Sequence, residues 1–306
     1  VIHEVVTEGL AKELKGTVVA IPTINPSGFR RASRSPEFDE RDPNRLFPLG
    51  MFADKDEEQE EDVKYPKLFE QVAQQVYAHF EKYADYHIDF HNHTLRSIPY
   101  AIIDRIFYRD KADKEVVQAL SKKQEEMVNA FENILITAEF PAKKYLKLKY
   151  YRTFSGATLN SLRIPAFTVE LGAHAVVYPD IVAGSAKAIR NVLRWAGMLG
   201  GPKEEITEFL VSQPSERLRR CEHPRAKHSG ILRFLVNPGE QVSKGQPIAK
   251  ITDIFGRPLG DGYIRTDHDG YMIALRNKMT VYPNEAIAEM GIKDEEPLIA
   301  PIPSKE

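Results

Sequence analysis

The feature that most constrains the fold is an alternation of short apolar runs with helical stretches along the first 200 residues. Short apolar runs typical of buried strands occur at 16–22, 86–91, 100–104 and 165–172. Apolar residues recur with helical spacing at 2–14, 66–83, 114–132 and 181–199. Strands that alternate with helices predict an α/β fold, with a mostly parallel or mixed sheet flanked by helices.

The pattern changes after residue 222, where short apolar runs are separated by Pro-Gly, Lys-Gly and Asp-Gly pairs. Such pairs favour tight turns, so this part predicts a small all-β unit. Its two halves, 229–248 and 269–287, repeat the same order of Gly, apolar strand, turn, Val and short apolar strand. We therefore predict a catalytic domain at 1–220 and a β-sandwich domain at 221–306 that caps it.

Composition excludes several classes of function. A net charge of −2 gives no electrostatic reason to expect nucleic acid or an anionic membrane as partner. No apolar run approaches the roughly 18–20 residues that span a bilayer. The single cysteine, Cys221, excludes an intrachain disulfide and a Cys-rich zinc cluster, and it fits a cytoplasmic protein. The acid-rich run at 53–63 predicts a solvated loop.

Four polar segments lie close to the predicted strands. They are NPSGFRRASR at 25–34, RDPNRLFP at 41–48, DFHN at 89–92 and TVELG at 168–172. In open α/β sheets, ligands bind beyond the carboxyl ends of the strands. We therefore expect these four segments to converge on one site.

The residue types in these segments suit hydrolytic chemistry. Asp89 and His91 are two apart on a strand and point to the same side, where the acid can orient the histidine toward a metal. Glu170 lies between apolar residues at a strand end, which suits a carboxylate that exchanges protons with water. Arg34 and Arg45 can bind a carboxylate or an oxyanion, and Asn44 adds an amide beside them.

In this order, NPSGF, an arginine, DPNR-x-FP, DFHN and TVELG resemble the succinylglutamate desuccinylase/aspartoacylase family of the zinc carboxypeptidase superfamily. The resemblance runs through essentially the whole chain. It includes the C-terminal stretch VNPGEQVSKGQPIAKITDIFG, which is similar to that family's biotinyl/lipoyl-like sandwich. The resemblance implies a zinc carboxypeptidase-like fold with a C-terminal β-sandwich.

The resemblance also implies a zinc cofactor held by three ligands. The later ligand matches His91, in the Asp-x-His-Asn pattern. The other two come from an early His-x-x-Glu segment, which the sequence does not contain and which we expect just upstream of Val1. His93 and His174 match no ligand position of the family, so their roles stay open.

The same resemblance assigns the remaining roles. Glu170 is similar to the general acid/base, and Arg34 to the arginine that polarises the scissile carbonyl. Asn44 and Arg45 are similar to the pair that binds the substrate carboxylate, and Asn92 is expected to contact the substrate. The choice of Arg34 is made among four arginines of one segment, since Arg30, Arg31 and Arg41 lie nearby.

These residues, together with the resemblance, predict a zinc-dependent hydrolase that deacylates a small N-acyl amino acid, which would be its small-molecule partner. Two alternatives stay open. One is a metallocarboxypeptidase that acts on peptide C-termini with the same residues. The other is a metal-free binding protein, which would follow if the His-x-x-Glu segment is absent from the gene product. Members of the family often form oligomers, so a homo-oligomer is a further expectation of the resemblance.

Overall fold

A computed structural model of the chain describes residues 1–55, 66–173, 176–209 and 214–303. Most of the acid-rich run at 53–63 lies outside these ranges, as does His174. Within them, no helix is both long and apolar enough to cross a membrane.

The long predicted helices are confirmed. The α-helices of the described ranges are α1 (Ile2–Val5), α2 (Glu8–Glu13), α3 (Pro26–Arg31), α4 (Leu68–Tyr83), α5 (Lys111–Ala130), α6 (Ala142–Lys147), α7 (Phe154–Ser161) and α8 (Pro179–Trp195). Short 3₁₀ turns occur at Pro43–Arg45, Gly50–Lys55 and Tyr150–Arg152. The single helix predicted at 2–14 is two helices, because the Thr7 hydroxyl accepts the amide N–H of Leu10 and begins a new helix there.

The strands of the described ranges include three of the four that the sequence predicts. They are β1 (His87–His93), β2 (Arg96–Ser97), β3 (Tyr100–Ile103), β4 (Ile106–Tyr108), β5 (Leu135–Ala138), β6 (Ala166–Ala173), β7 (Leu218–Cys221), β8 (Gly230–Phe234), β9 (Gln241–Val242), β10 (Pro247–Thr252), β11 (Pro258–Arg265), β12 (Gly270–Leu275), β13 (Thr280–Val281), β14 (Ala288–Lys293) and β15 (Ile299–Pro301).

The buried strand predicted at 16–22 is wrong for this structure. This segment has no strand assignment, and Val19 is 77% exposed. An apolar run becomes a strand only where a neighbour completes its ladder of hydrogen bonds. In the described ranges no strand pairs with this segment, and β1 lies at the edge of the sheet.

The central sheet is mixed, and this arrangement positions the site. Its strand order is β1-β6-β3-β5-β7-β14-β12-β2, with β9 attached to β12. The pairs β1–β6, β3–β5 and β5–β7 are parallel, whereas β3 runs antiparallel to β6 and β14 antiparallel to β7. The predicted fold class, an α/β unit with further antiparallel strands at the C-terminal end, is confirmed.

The C-terminal strands form two interlocked halves. The first half contains β8, β9 and β10, and the second contains β12, β13 and β14. The short strand of each half pairs with the first strand of the other, β9 with β12 and β13 with β8. The central sheet runs through β7 into β14 without interruption, so the division near residue 220 stays a prediction.

A buried arginine attaches the C-terminal end of the chain to the central sheet. Arg105 is fully buried and donates to both carboxylate oxygens of Asp294, at 2.9 and 3.0 Å. It also donates to the carbonyls of Glu139 and Phe140. A buried guanidinium is tolerated only when its donors are satisfied in this way. The ends of β3 and β5 are therefore held against the segment that follows β14.

Candidate active site

A cavity of about 340 Å³ lies over one face of the central sheet, between β1, β6 and the loop that follows α3. It brings together the six predicted site residues Arg34, Asn44, Arg45, His91, Asn92 and Glu170. Their convergence is a feature of the structure, and their individual roles stay predictions.

His91 is held by the carboxylate two residues before it, as the strand spacing predicts. Its Nε2 lies 3.0 Å from Asp89 Oδ2 and 3.3 Å from Asn44 Nδ2. Burial alone would lower the pKa of His91, but the Asp89 carboxylate outweighs burial, with a smaller contribution from Glu170, and raises it to about 9.

The fit of these residues to a metal is incomplete. Among residues 1–55, 66–173, 176–209 and 214–303, no group of three or more His, Cys, Asp or Glu side chains is arranged to hold a metal ion. Structural and catalytic zinc sites use at least three protein ligands. His91 contributes one imidazole, and a metal at Nε2 would have to replace the contacts with Asp89 and Asn44. The described residues alone therefore do not form a zinc site.

Glu170 lines the cavity, and one of its carboxylate oxygens has no hydrogen-bond partner among the described residues. The side chain is half-buried within β6, which continues to Ala173, so the position at a strand end expected from the sequence is wrong. The oxygen without a partner, Oε2, is buried. Unpartnered buried carboxylate oxygens are costly in a folded protein, so they mark places where water or a ligand belongs. This geometry leaves Glu170 able to accept a proton from a molecule in the cavity.

The two predicted cations, Arg34 and Arg45, lie on the side of the cavity that is formed by the loop after α3. Arg34 forms an ion pair with Asp42 at 2.8 Å and keeps 61% of its side chain exposed. The Arg45 guanidinium lies 4.3 Å from the centre of the Tyr150 ring, a cation–π contact that fixes its plane. Arg41 points elsewhere, to Asp39 at 2.7 Å and Glu70 at 2.9 Å. Of these two arginines, Arg34 lines the cavity and Arg41 does not.

The side-chain amide of Asn44 makes its contacts within the protein. Its Oδ1 accepts the amide N–H of Phe154 at 2.7 Å, and its Nδ2 contacts His91. These contacts join the loop to the first residue of α7 and to β1. The side chain positions the loop that carries Arg45, and the predicted direct contact with substrate remains untested.

The end of β1 carries two further polar residues of the cavity. Asn92 Nδ2 donates to the Ala173 carbonyl at 3.5 Å. A shift of register between His91 and His93 interrupts the pairing with β6. His93 Nε2 lies 3.2 Å from Glu289 Oε2 on β14, and although burial would lower the pKa of His93, this carboxylate raises it. His93 therefore connects the cavity to the C-terminal strands.

Sequence reasoning missed three charged residues that line the cavity: Asp104, Glu139 and Arg220. Asp104 and Glu139 directly follow β3 and β5, the kind of position that the other motifs occupy. Neither belongs to a recognisable motif. Because β3 runs antiparallel to β6, the carboxyl end of β3 lies beside the amino-terminal end of β6. Arg220 lies on β7, a strand that the sequence pattern did not indicate.

Comparison with known proteins decides the family. A family model described as the succinylglutamate desuccinylase/aspartoacylase catalytic domain matches residues 1–196. The chain belongs to this family. The resemblance noted in the sequence is thereby confirmed.

A curated relative and several solved structures are similar over most of the chain. The relative, N-alpha-acetyl-L-2,4-diaminobutyric acid deacetylase of Halomonas elongata, is 23% identical over 91% of this chain and 73% of its own. A succinylglutamate desuccinylase/aspartoacylase of Rhodobacter sphaeroides is 19% identical, with a TM-score of 0.69 over 93% of this chain and 77% of its own.

The product-bound ectoine utilization protein EutE of Ruegeria pomeroyi is 20% identical, with a TM-score of 0.66 over 95% of this chain and 80% of its own. At these identities the structures establish the shared fold.

Proposed function

We propose that this protein is a hydrolase that removes the acyl group from a small N-acyl amino acid. The observation that carries the proposal is that Glu170, whose Oε2 has no hydrogen-bond partner among the described residues, lines the same cavity as Arg34, Arg45 and His91. Membership of the family supports an enzyme that acts on acyl amides. The relative from Halomonas elongata, named as a deacetylase of an acetylated amino acid, supports the substrate class.

Each residue has a defined part in this reaction. Glu170 accepts a proton from the attacking water as the new C–O bond forms, and then delivers a proton to the amine nitrogen as the C–N bond breaks. The Arg34 guanidinium donates to the carbonyl oxygen as negative charge develops on it. Arg45, fixed over Tyr150, binds the substrate carboxylate and so sets the position of the amide bond.

Zinc belongs to the proposal through His91. We propose that His91 is one ligand and that the two others come from the His-x-x-Glu segment that the resemblance places before Val1. A zinc ion bound there would supply a Lewis acid beside the scissile carbonyl. Metal analysis of the full-length protein tests this assignment: one zinc per chain is expected, with loss in His91→Ala. Retention of zinc by His91→Ala would remove the assignment.

The function itself is tested by amine release from a panel of substrates. The panel contains N-acetyl and N-succinyl amino acids, the same compounds as carboxyl amides, and short peptides with free C-termini. Release from the acyl amino acids alone supports the proposal. Release of C-terminal residues from peptides would make the protein a carboxypeptidase. If no compound releases an amine and the protein contains no zinc, a binding protein is favoured.

We further propose a cellular location and an oligomeric state. The cytoplasmic location depends on the single cysteine, and the homo-oligomer depends on the resemblance alone. Fractionation of the native cells and light scattering of the purified protein test them.

A further inference from the structure

Tyr150 lines the cavity, but the proposed reaction gives its hydroxyl no part. The buried tyrosines Tyr100 and Tyr145 each donate their hydroxyl to a carboxylate of the protein. Tyr150 is half-buried, and its hydroxyl makes no hydrogen bond with the residues that the structure describes. A tyrosine that lines a cavity and has no partner for its hydroxyl can donate to a ligand.

The charges that act on the Tyr150 hydroxyl come from the cavity. Burial raises the pKa of Tyr150, Glu139 raises it further, and Arg220 and Arg45 oppose the rise. These three charged residues all line the cavity, so the hydroxyl end of the side chain lies on that side. The two carboxylate oxygens of Glu139 already accept Arg220 at 2.6 Å and the amide N–H of Phe140 at 3.1 Å. The hydroxyl therefore keeps its proton at neutral pH and can donate it to a ligand.

The ring of Tyr150 is held beside the carboxylate-binding arginine. Phe140 stacks on it at 5.9 Å between ring centres, and Tyr145 packs edge-on at 5.8 Å. The Arg45 guanidinium lies 4.3 Å from the ring centre and donates from Nη1 to the Asn44 carbonyl at 2.6 Å. Because a guanidinium has five N–H donors, several of them are left for a ligand beside the phenol hydroxyl.

We propose that Tyr150 binds the substrate carboxylate together with Arg45, the phenol hydroxyl donating to one carboxylate oxygen and the guanidinium to the other. This inference rests on the proposed deacylase function and adds a second donor to its carboxylate site. A carboxylate offers two acceptor oxygens, whereas a carboxyl amide offers one oxygen and an NH₂ group that can only donate. Tyr150 is thus a specificity residue for substrates with a free carboxylate.

The test compares acyl amino acids with their carboxyl amides. The kcat and KM values are measured with the full-length protein and with Tyr150→Phe, for the best acyl amino acid of the panel and for its amide. The substitution keeps the ring beside Arg45 and removes only the hydroxyl. KM for the free carboxylate should rise roughly tenfold, the value of a hydrogen bond to a charged group, with kcat and the KM for the amide within threefold. Equal rises of KM for the two compounds would overturn the inference.

A double-mutant cycle distinguishes a shared contact from a general structural effect. If Arg45 and Tyr150 donate to the same carboxylate, the rises of KM in Arg45→Ala and Tyr150→Phe should multiply to more than the rise in the double variant. For the carboxyl amide no such coupling is expected. Coupling of the same size for both compounds would assign Tyr150 a structural role alone.

Tyr83→Phe is the matched control. Tyr83 is 67% exposed, carries the Lys82 ammonium 5.0 Å from its ring centre and does not line the cavity. It should leave both KM values unchanged. Melting temperatures accompany each variant, and Tyr150→Phe should melt with the parent because the contacts of its ring with Phe140 and Tyr145 are kept.

A binding measurement separates failure of this inference from failure of the proposed function. Calorimetry compares N-acetylglycine with N-acetylglycinamide, a pair that differs only at the carboxyl group, in Glu170→Gln and in Glu170→Gln with Tyr150→Phe. Tighter binding of N-acetylglycine that is lost with the Tyr150 hydroxyl supports the inference even for a protein without deacylase activity. No preference for N-acetylglycine in the protein that keeps Tyr150 would reject the inference, and amine release from acyl amino acids would then still retain the function.

Discussion

The two sides of the cavity use arginine in opposite ways. On the loop wall, formed by Arg34, Asn44 and Arg45, the two arginine side chains are 61% and 30% exposed. Arg34 pairs with Asp42, whereas Arg45 stacks on Tyr150, donates to the Asn44 carbonyl and lies 4.0 Å from Asp42. On the ion-pair wall, formed by His93, Glu139, Arg220 and Glu289, the arginine is 13% exposed and both its carboxylate partners are buried. The loop wall has donors left for a ligand, whereas the ion-pair wall uses its donors to join three strands and shape the cavity.

The largest effect on turnover is expected from a change at Glu170, which belongs to neither wall. Glu170→Gln keeps the shape of the side chain but removes the proton acceptor, so kcat should fall by about 10²–10⁴-fold, the range of general acid–base catalysis. Substrate binding and the melting temperature should change little. Steady-state amine release and calorimetry measure the two effects.

The control for this change is Glu295→Gln, at an exposed acid outside the cavity. Turnover by Glu170→Gln within threefold of the parent would remove Glu170 from its assigned role.

The ion-pair wall should respond to mutation through stability. Arg220→Met leaves Glu139 and Glu289 buried without their cation, so the free energy of unfolding should fall by about 3–5 kcal/mol. Urea unfolding measures this loss. Arg219→Met, at the neighbouring position of β7, should cost far less, because its guanidinium makes no ion pair with the described residues. Equal losses for the two variants would contradict the distinction between the walls.

The loop wall should respond through substrate binding. Arg45→Ala removes the carboxylate contact, so KM for acyl amino acids should rise by roughly tenfold to a hundredfold, the value of a charge-assisted hydrogen bond. The free energy of unfolding should change by less than about 1 kcal/mol, since the ion pair of Arg45 with Asp42 is long, at 4.0 Å, and partly exposed, and such pairs contribute little.

Carboxyl amides of the same substrates provide the diagnostic comparison, and Arg31→Ala, at an exposed arginine outside the cavity, is the matched control. If Arg45→Ala raises KM for the carboxyl amides as much as for the free carboxylates, Arg45 does not bind the carboxylate.

The smallest effect concerns pH. Although burial would raise the pKa of Glu289, Arg220 holds it well below its usual range. Because the folded-state pKa is lowered, the stabilisation is fully present above the unfolded value of about 4.3 and is lost as pH falls below it. Between pH 6 and pH 3, the parent should lose about 1–2 kcal/mol more unfolding free energy than Glu289→Gln. Parallel slopes in urea unfolding at the two pH values would contradict this.

The loop wall was predictable from sequence, and the ion-pair wall was not. Arg34, Asn44 and Arg45 lie in one short segment of the chain, so their proximity follows from local chain geometry. The hydrogen bond from Tyr100 to Glu289 spans 189 positions, and that from Arg220 to Glu139 spans 81. Such contacts depend on which strands pair, and residue patterns along the chain do not encode strand order.

The same reasoning explains the errors in the fold. Helices α4, α5 and α8 form from local periodicity that helix-helix and helix-sheet packing then reinforces, so their prediction succeeded. The run at 16–22 has the composition of a strand, but pairing is a non-local property, and no described strand supplies it. The antiparallel direction of β3 was equally invisible, which is why Asp104 escaped notice.

The measurement that tests the central claim most directly is hydrolysis of an Nα-acetyl amino acid by the full-length protein in ¹⁸O-labelled water, with mass analysis of both products. Attack of water on the acyl carbon predicts a single labelled oxygen in the released acetate and none in the amino acid. Acetate without label, label in the amino acid, or no release of acetate from any acyl amino acid would contradict a deacylase in which water attacks the acyl carbon.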